Sequence, residues 1–402
     1  MKYLFSSTAL AVVLAAGTAQ AQTTVKIGVM SDMSSLYSDI GGPGSTAAAK
    51  LAIADFTANN KDIKVELVSA DHQNKPDIGS NVVNQWYDVD KVDLVIDVPN
   101  SGVALAVSQI AANKNKVFIV SGAAASDLTG AKCNANTVHW TYDTWMLANG
   151  TGKALVKTGG DSWFFLTADY AFGHALERDT AAVVTASGGK VLGSVKHPIN
   201  TSDFSSFLLQ AQASKAKVVG LANAGGDTTN AIKQASEFGI VAGGQKLAAL
   251  LLFINDVHSL GLKTAQGLTF TESFYWDLND QTRAWSKRFS EQASKNAMPS
   301  MTQAGNYAMV LHYLKAMEAL GGNPHDGAKV VAKMKELPTD DPLFGKGPLR
   351  SDGRRIIPAY LFEVKKPDES KYPWDYYKQI ATIAAEDAAK PLEASDCPLV
   401  KK

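Results

Sequence analysis

The chain has 402 residues, with 39 Lys plus Arg balanced by 39 Asp plus Glu, 46% hydrophobic residues and two cysteines. That length exceeds what one hydrophobic core normally serves, so two domains are expected, and zero formal charge excludes a general nucleic-acid binder, which needs surplus Lys and Arg facing phosphates. The apolar content excludes a disordered chain, and a lone cysteine pair excludes both a structural zinc centre and a disulfide-dense scaffold.

The chain opens with Met1-Lys2, then Leu4 to Gly17, apolar apart from Ser6, Ser7 and Thr8, then Ala19-Gln20-Ala21. A short positive start, an apolar stretch and a small-x-small triplet predict a signal peptide over residues 1–21, cut after Ala21. The apolar stretch falls short of the roughly 18 residues of a membrane anchor, and no later segment reaches that length unbroken. In an oxidising compartment Cys133 and Cys397 most simply form one disulfide, with free buried thiols as the alternative.

From Val25 onward, short β-branched runs alternate with amphipathic segments. Val25 to Met30, Lys64 to Ser69, Val92 to Val98 and Val117 to Val120 are predicted strands. Gly44 to Asn59, Ile78 to Tyr87 and Gly102 to Asn113 are predicted helices between them. The rhythm restarts with strands at Ser162 to Leu166, Lys190 to Val195, Lys217 to Leu221 and Leu247 to Phe253. Helices over His174 to Ala186, Phe204 to Ala213 and Thr228 to Phe238 fill the gaps. Residues 280–335 are mostly helical, and Pro348 to Val364 looks like a late hairpin or strand pair. The alternation predicts an α/β fold of βαβ units in two doubly wound, Rossmann-like lobes.

Enzyme signatures are missing: no Walker A sequence, GxSxG elbow, HExxH pair or GxGxxG follows a strand, and the seven histidines are scattered. The informative segments are loops at the carboxyl ends of the first lobe's strands, where ligands of open α/β sheets settle. Ser31 to Gly44 is hydroxyl- and glycine-rich, carries Tyr37 and runs into a helix. Its amides, with Ser34 or Ser35, are candidates for holding a carboxylate. Asn100-Ser101-Gly102 follows the third strand, with Ser101 placed to cap the next helix. Ser121 to Thr129, containing Ala123 and Ser126, follows the fourth.

These features together resemble the periplasmic Leu/Ile/Val-binding protein family, the substrate-binding components of branched-chain amino-acid ABC transporters. The resemblance rests on the exported start, the loop reaching Tyr37, Gly41 and Gly44, Val120-Ser121 to Leu128-Thr129, Asp169-Tyr170-Ala171-Phe172-Gly173 and Phe274-Tyr275-Trp276-Asp277. It implies a type I periplasmic binding fold, a Venus flytrap with a three-segment hinge near Tyr142, Ser273 and Asp352. Lobe 1 would comprise 22–141 and 275–352, lobe 2 would comprise 142–274 and 353–390, and 391–402 would form a tail tethered to lobe 1 through Cys397.

On the same basis Ser101 matches a carboxylate-contacting serine, Ala123 a position whose backbone binds the ligand, and Tyr37 an aromatic wall. Phe172 stands where the family has tyrosine before Gly173. Two departures from the pattern concern the ligand: Ala124 or Ala125 replaces a hydroxyl, and Phe253-Ile254-Asn255-Asp256 lacks the glutamate that holds an ammonium. Asp227 or Asp256 is a candidate substitute; otherwise Tyr37, Phe172, Phe253, Tyr275 and Trp276 line an apolar slot for an acid without an amine.

The expected function is therefore an exported, periplasmic, monomeric solute-binding protein that takes a small carboxylate between its lobes and delivers it to an ABC permease. Its contact with the membrane would be peripheral, through that complex. No cofactor, metal or nucleic acid is expected. A ligand-sensing module of the same fold, or a secreted enzyme, are the alternatives.

Overall fold

The computed structural model describes residues 23–323 and 325–401. The expected signal segment lies outside them. Among the described residues no helix is long and apolar enough to cross a membrane.

Two sheets organise the chain. The first holds β1 (Thr23–Ser31), β2 (Ile63–Asp71), β3 (Leu94–Asp97), β4 (Val117–Val120) and β5 (Thr137–His139), all parallel, in the order β2-β1-β3-β4-β5. Residues of β3 and β4 are buried without alternation, because helices cover both faces of a parallel sheet. The helix Ser101–Asn113 covers one face. The other is covered by Gly42–Asn59 and by Met301–Ala319, which returns from far along the chain to pack beside it.

The second sheet runs through β6 (Ser162–Ala168), β7 (Lys190–His197), β8 (Val218–Ala222), β9 (Lys246–Ala249) and β10 (Thr269–Glu272). After a small hairpin of β11 (Thr339–Asp341) and β12 (Gly345–Gly347), it is completed by β13 (Ala359–Val364) and β14 (Tyr377–Ile383). Its order is β14-β13-β10-β9-β8-β6-β7, parallel from β7 to β10 and antiparallel at β13 and β14. The chain passes between the lobes three times: between β5 and the helix Thr144–Leu147, between β10 and the helix Asp280–Ser290, and ahead of β13.

Some helices start where the sequence offers a cap. Asn279 accepts from Gln281 N and Thr282 N, and Ser300 forms a reciprocal capping box with Gln303. The hairpin or strand pair expected over Pro348 to Val364 is reduced to one antiparallel bridge, Leu349 to Arg355, around the turn Asp352-Gly353-Arg354 with Gly353 at φ 85°. β13 pairs with β10 and with β14, a strand that the sequence pattern does not announce. The strand expected from Leu247 to Phe253 stops at Ala249, and Leu250 to Phe253 form a buried loop. Cys133 and Cys397 are joined in a disulfide with a Cα–Cα distance of 5.6 Å.

A buried ion pair braces the first crossing. Arg354 Nε donates to Asp143 at 2.9 Å, and its terminal nitrogen donates to the carbonyls of His139 and Trp140. Asp143 also caps the helix Thr144–Leu147, so one carboxylate anchors both the crossing and the element after it.

Candidate functional site

The carboxyl ends of the parallel strands of both sheets face one another across a cleft. The loop after β1 is organised around its own acid. Buried Asp32 accepts the amides of Ser35 and Tyr37, both at 2.8 Å, together with the Ser35 hydroxyl and Asn74 Nδ2. Burial alone would raise its carboxyl, but these donors outweigh it and leave the pKa below the ordinary value. The Ser34 hydroxyl donates to Asp71 at 2.9 Å. The loop's donors thus serve Asp32, and the Ser34 and Ser35 hydroxyls donate to acids of their own lobe. What the loop delivers to the cleft is Tyr37, 2% exposed, whose hydroxyl lies 2.6 Å from that of Tyr170 in the other lobe.

After β3, Asn100 rather than Ser101 caps the helix Ser101–Asn113, its Oδ1 accepting from Gly102 N at 2.9 Å and Val103 N at 3.1 Å. The expected cap is one residue out because serine and asparagine suit this position almost equally. Ser101 is left free to join two loops. Its buried hydroxyl accepts the amides of Ala124 and Ala125 at 3.3 Å each, tying the β3 loop to the β4 loop.

The Ala123 carbonyl accepts from His139 Nε2 at 2.8 Å. Burial first, then nearby Arg354, pushes that imidazole down to about 4, so it is neutral near pH 7. The Ser121 hydroxyl is turned to Thr302 O and Thr141, which ties the loop to the helix Met301–Ala319. Ser126 bridges the lobes, donating to Asp179 at 2.6 Å and accepting from Arg178 at 2.8 Å.

In the second lobe Tyr170 heads the helix Ala171–Ala186, with the Phe172 ring 6.0 Å from its own. Phe253 is fully buried, and its ring meets Tyr142 edge-on at 6.1 Å. Tyr142, carried by the first crossing, donates to Gly122 O at 2.6 Å. Burial, reinforced by nearby Tyr170, pushes the phenols of Tyr37 and Tyr142 well up, and burial likewise raises Tyr170. All three remain neutral hydroxyls near pH 7.

The acids expected as ammonium partners are otherwise engaged. Asp227 spends one oxygen on Asn200 N and the other on Thr201 N, and burial nevertheless pushes its carboxyl up to about 6. Asp256 accepts from Phe253 N at 2.9 Å, and burial, aided by Asp39, pushes it up to about 7. Tyr275 does not join the cleft group. Its hydroxyl donates to Trp374 O, its ring stacks on Tyr377 at 4.6 Å, and it packs in the second lobe's core. Trp276 Nε1 donates to the same carbonyl.

Two residues of the site are not evident in the sequence. Tyr142 stands there only as a hinge marker, although its ring and hydroxyl face the cleft loops. Glu272, 1% exposed at the carboxyl end of β10, accepts from Tyr377 at 2.9 Å; burial first, then Asp256, holds its carboxyl well above the usual range. A lone acid ending a short buried strand is the signal that could reveal it.

The cleft therefore combines loop amides, neutral hydroxyls and aromatic rings from two lobes, and the comparisons with known proteins give its family. The family model described as periplasmic binding protein matches residues 24–371. A periplasmic binding protein from Burkholderia mallei is 53% identical, with 94% of this chain and 100% of that one covered at a TM-score of 0.91. A branched-chain amino-acid ABC transporter periplasmic ligand-binding protein from Burkholderia xenovorans is 40% identical, with 94% and 100% covered at 0.83. A solute-binding protein of an R. palustris ABC transporter, solved with 4-hydroxybenzoate, shares the fold at 22% identity and a TM-score of 0.81, with 90% and 97% covered. The chain belongs to the periplasmic binding protein family, with its type I fold.

Proposed function

We propose that this chain is the exported solute-binding component of an ABC importer, and that it holds a small carboxylic acid between its lobes for delivery to a membrane permease. The observation that carries this reading is the Tyr37–Tyr170 contact, which joins opposite lobes directly above loops rich in small residues. Such a roof excludes water when the lobes close, and lobe closure is the signal a permease reads.

Within this reading, an aromatic or branched acid without an amine suits the cleft better than an amino acid. Both Asp227 oxygens are held by backbone N–H groups, and Asp256 is raised towards neutrality. Tyr37, Tyr142, Tyr170, Phe172 and Phe253 supply flat apolar walls, which are best used by a planar or branched side chain. The R. palustris fold relative with 4-hydroxybenzoate supports the same ligand class.

Calorimetric titration with leucine, isoleucine, benzoate, 4-hydroxybenzoate and branched aliphatic acids tests the proposal. Saturable binding of an acid, without turnover, is expected. Binding of leucine but of no amine-free acid would return the ligand to the amino acids. Binding of none would remove the function itself.

A further inference from the structure

The two lobes touch in the cleft at a second place, beside the phenol pair. The loop after β8 ends in Gly225 and Gly226, and it faces Leu36 and Tyr37 of the loop after β1. Gly225 has φ 57°, a left-handed conformation that favours glycine. A Cβ on it would stand 2.6 Å from the Leu36 carbonyl oxygen and 3.1 Å from the Tyr37 ring. A Cβ on Gly226 would meet only Leu36 Cδ1, at 2.8 Å, with no other heavy atom within 4 Å.

We propose that Leu36 seated on the Gly225–Gly226 notch is the stop that sets how far the lobes close, and so places Tyr37 over Tyr170. This rests on the functional reading above and adds its positioning residues. The physical argument is one of packing. The notch brings backbone against backbone at a separation that only glycine permits, and close-packed contacts yield little before they break. The phenol hydroxyls at 2.6 Å have little room for retreat before their hydrogen bond is lost. Leu36 and the glycines thus act through Tyr37, without a direct contact to ligand being required of them.

Gly226 is the informative position. It begins the helix Gly226–Glu237, and its φ lies outside the left-handed region, so a side chain there leaves the helix backbone unstrained. In the full chain, Gly226→Val is expected to weaken binding of the tightest acid among leucine, isoleucine, benzoate, 4-hydroxybenzoate and the branched aliphatic acids by roughly tenfold or more, through loss of the roof and its ordering. Small-angle scattering should show no contraction on adding that acid, whereas the unsubstituted protein contracts. Adding Leu36→Ala to Gly226→Val should restore both affinity and contraction, which a merely structural lesion would not allow.

Leu36→Trp enlarges the same contact from the opposite lobe at a half-buried position, and the same loss is expected should Gly226→Val fail to fold. Unchanged affinity and contraction in the folded variants overturn the stop alone. A wild-type protein that binds none of leucine, isoleucine, benzoate, 4-hydroxybenzoate and the branched aliphatic acids overturns the functional reading and the stop with it.

Discussion

The hydroxyls of Tyr37 and Tyr170 lie 2.6 Å apart although their residues belong to different lobes. One must donate and the other accept, so removing either leaves a phenol, buried at Tyr37 and half-buried at Tyr170, without its partner. Tyr37→Phe or Tyr170→Phe should cost about 1–3 kcal/mol of acid binding, whereas the double Phe variant should lose less than the sum, since no orphaned hydroxyl remains. A double-mutant cycle by calorimetry measures that coupling.

Ser101 and Asn100 are neighbours with separable roles. Asn100→Ala removes a helix cap and is expected to lower stability by about 1 kcal/mol. Ser101→Ala leaves the amides of Ala124 and Ala125 without their acceptor, so it should reduce acid affinity more than Asn100→Ala does. Melting curves with and without ligand separate the two effects.

Asp256 makes stability depend on pH. Burial raises its folded carboxyl from the ordinary 3.8 to about 7, so between those values the folded state holds a proton that the unfolded chain has released. Its contribution is therefore full below about pH 4 and is lost as pH rises through about 7. His139 and His312, both depressed to about 4 by burial, act in the opposite sense. Asp256→Asn keeps an acceptor for Phe253 N and should flatten the decline in melting temperature between pH 5 and 8 relative to wild type. An unchanged difference across that range would mean that Asp256 titrates normally.

The disulfide spans a sequence separation of 264 residues. On the chain-entropy model a loop of that size is worth about 5–6 kcal/mol, so Cys397→Ser should lower the melting temperature by several degrees. The same shift should follow mild reduction of the wild type, and not of the variant.

The parallel strands and most helices are legible in the sequence because β-branched runs such as Val117 to Val120 and capped amphipathic stretches carry their own signals. β10 and β14 are not. Thr269–Glu272 is mostly buried but carries Phe270 as its one hydrophobic residue, and Tyr377–Ile383 is largely exposed with polar residues interspersed, so neither presents an apolar run in the sequence. In the candidate site, the order of strand-end loops brings out Tyr37, Ser101, Tyr170, Phe172 and Phe253 as candidates. The sequence does not show that Ser34, Ser35 and Asp227 have partners within their own lobes, because those partners are backbone amides or acids set by the folded loops. Nor does it show that Tyr275 packs in the second lobe's core, because an aromatic residue near a crossing suits a core as well as a wall.

The return of Met301–Ala319 to the first sheet bears on how the chain is made. Asn306 donates to Asp97 and Ser45, and Thr302 O accepts from Ser121, so this helix completes the layer begun by Gly42–Asn59. A polypeptide emerging from its amino end presents β1 to β5 with much of one face bare. β6 to β10 can pair before that cover arrives. The first sheet thus waits for its cover until β6 to β10 have been made, and a partly emerged chain carries an adhesive apolar surface that a holding chaperone would have to shield.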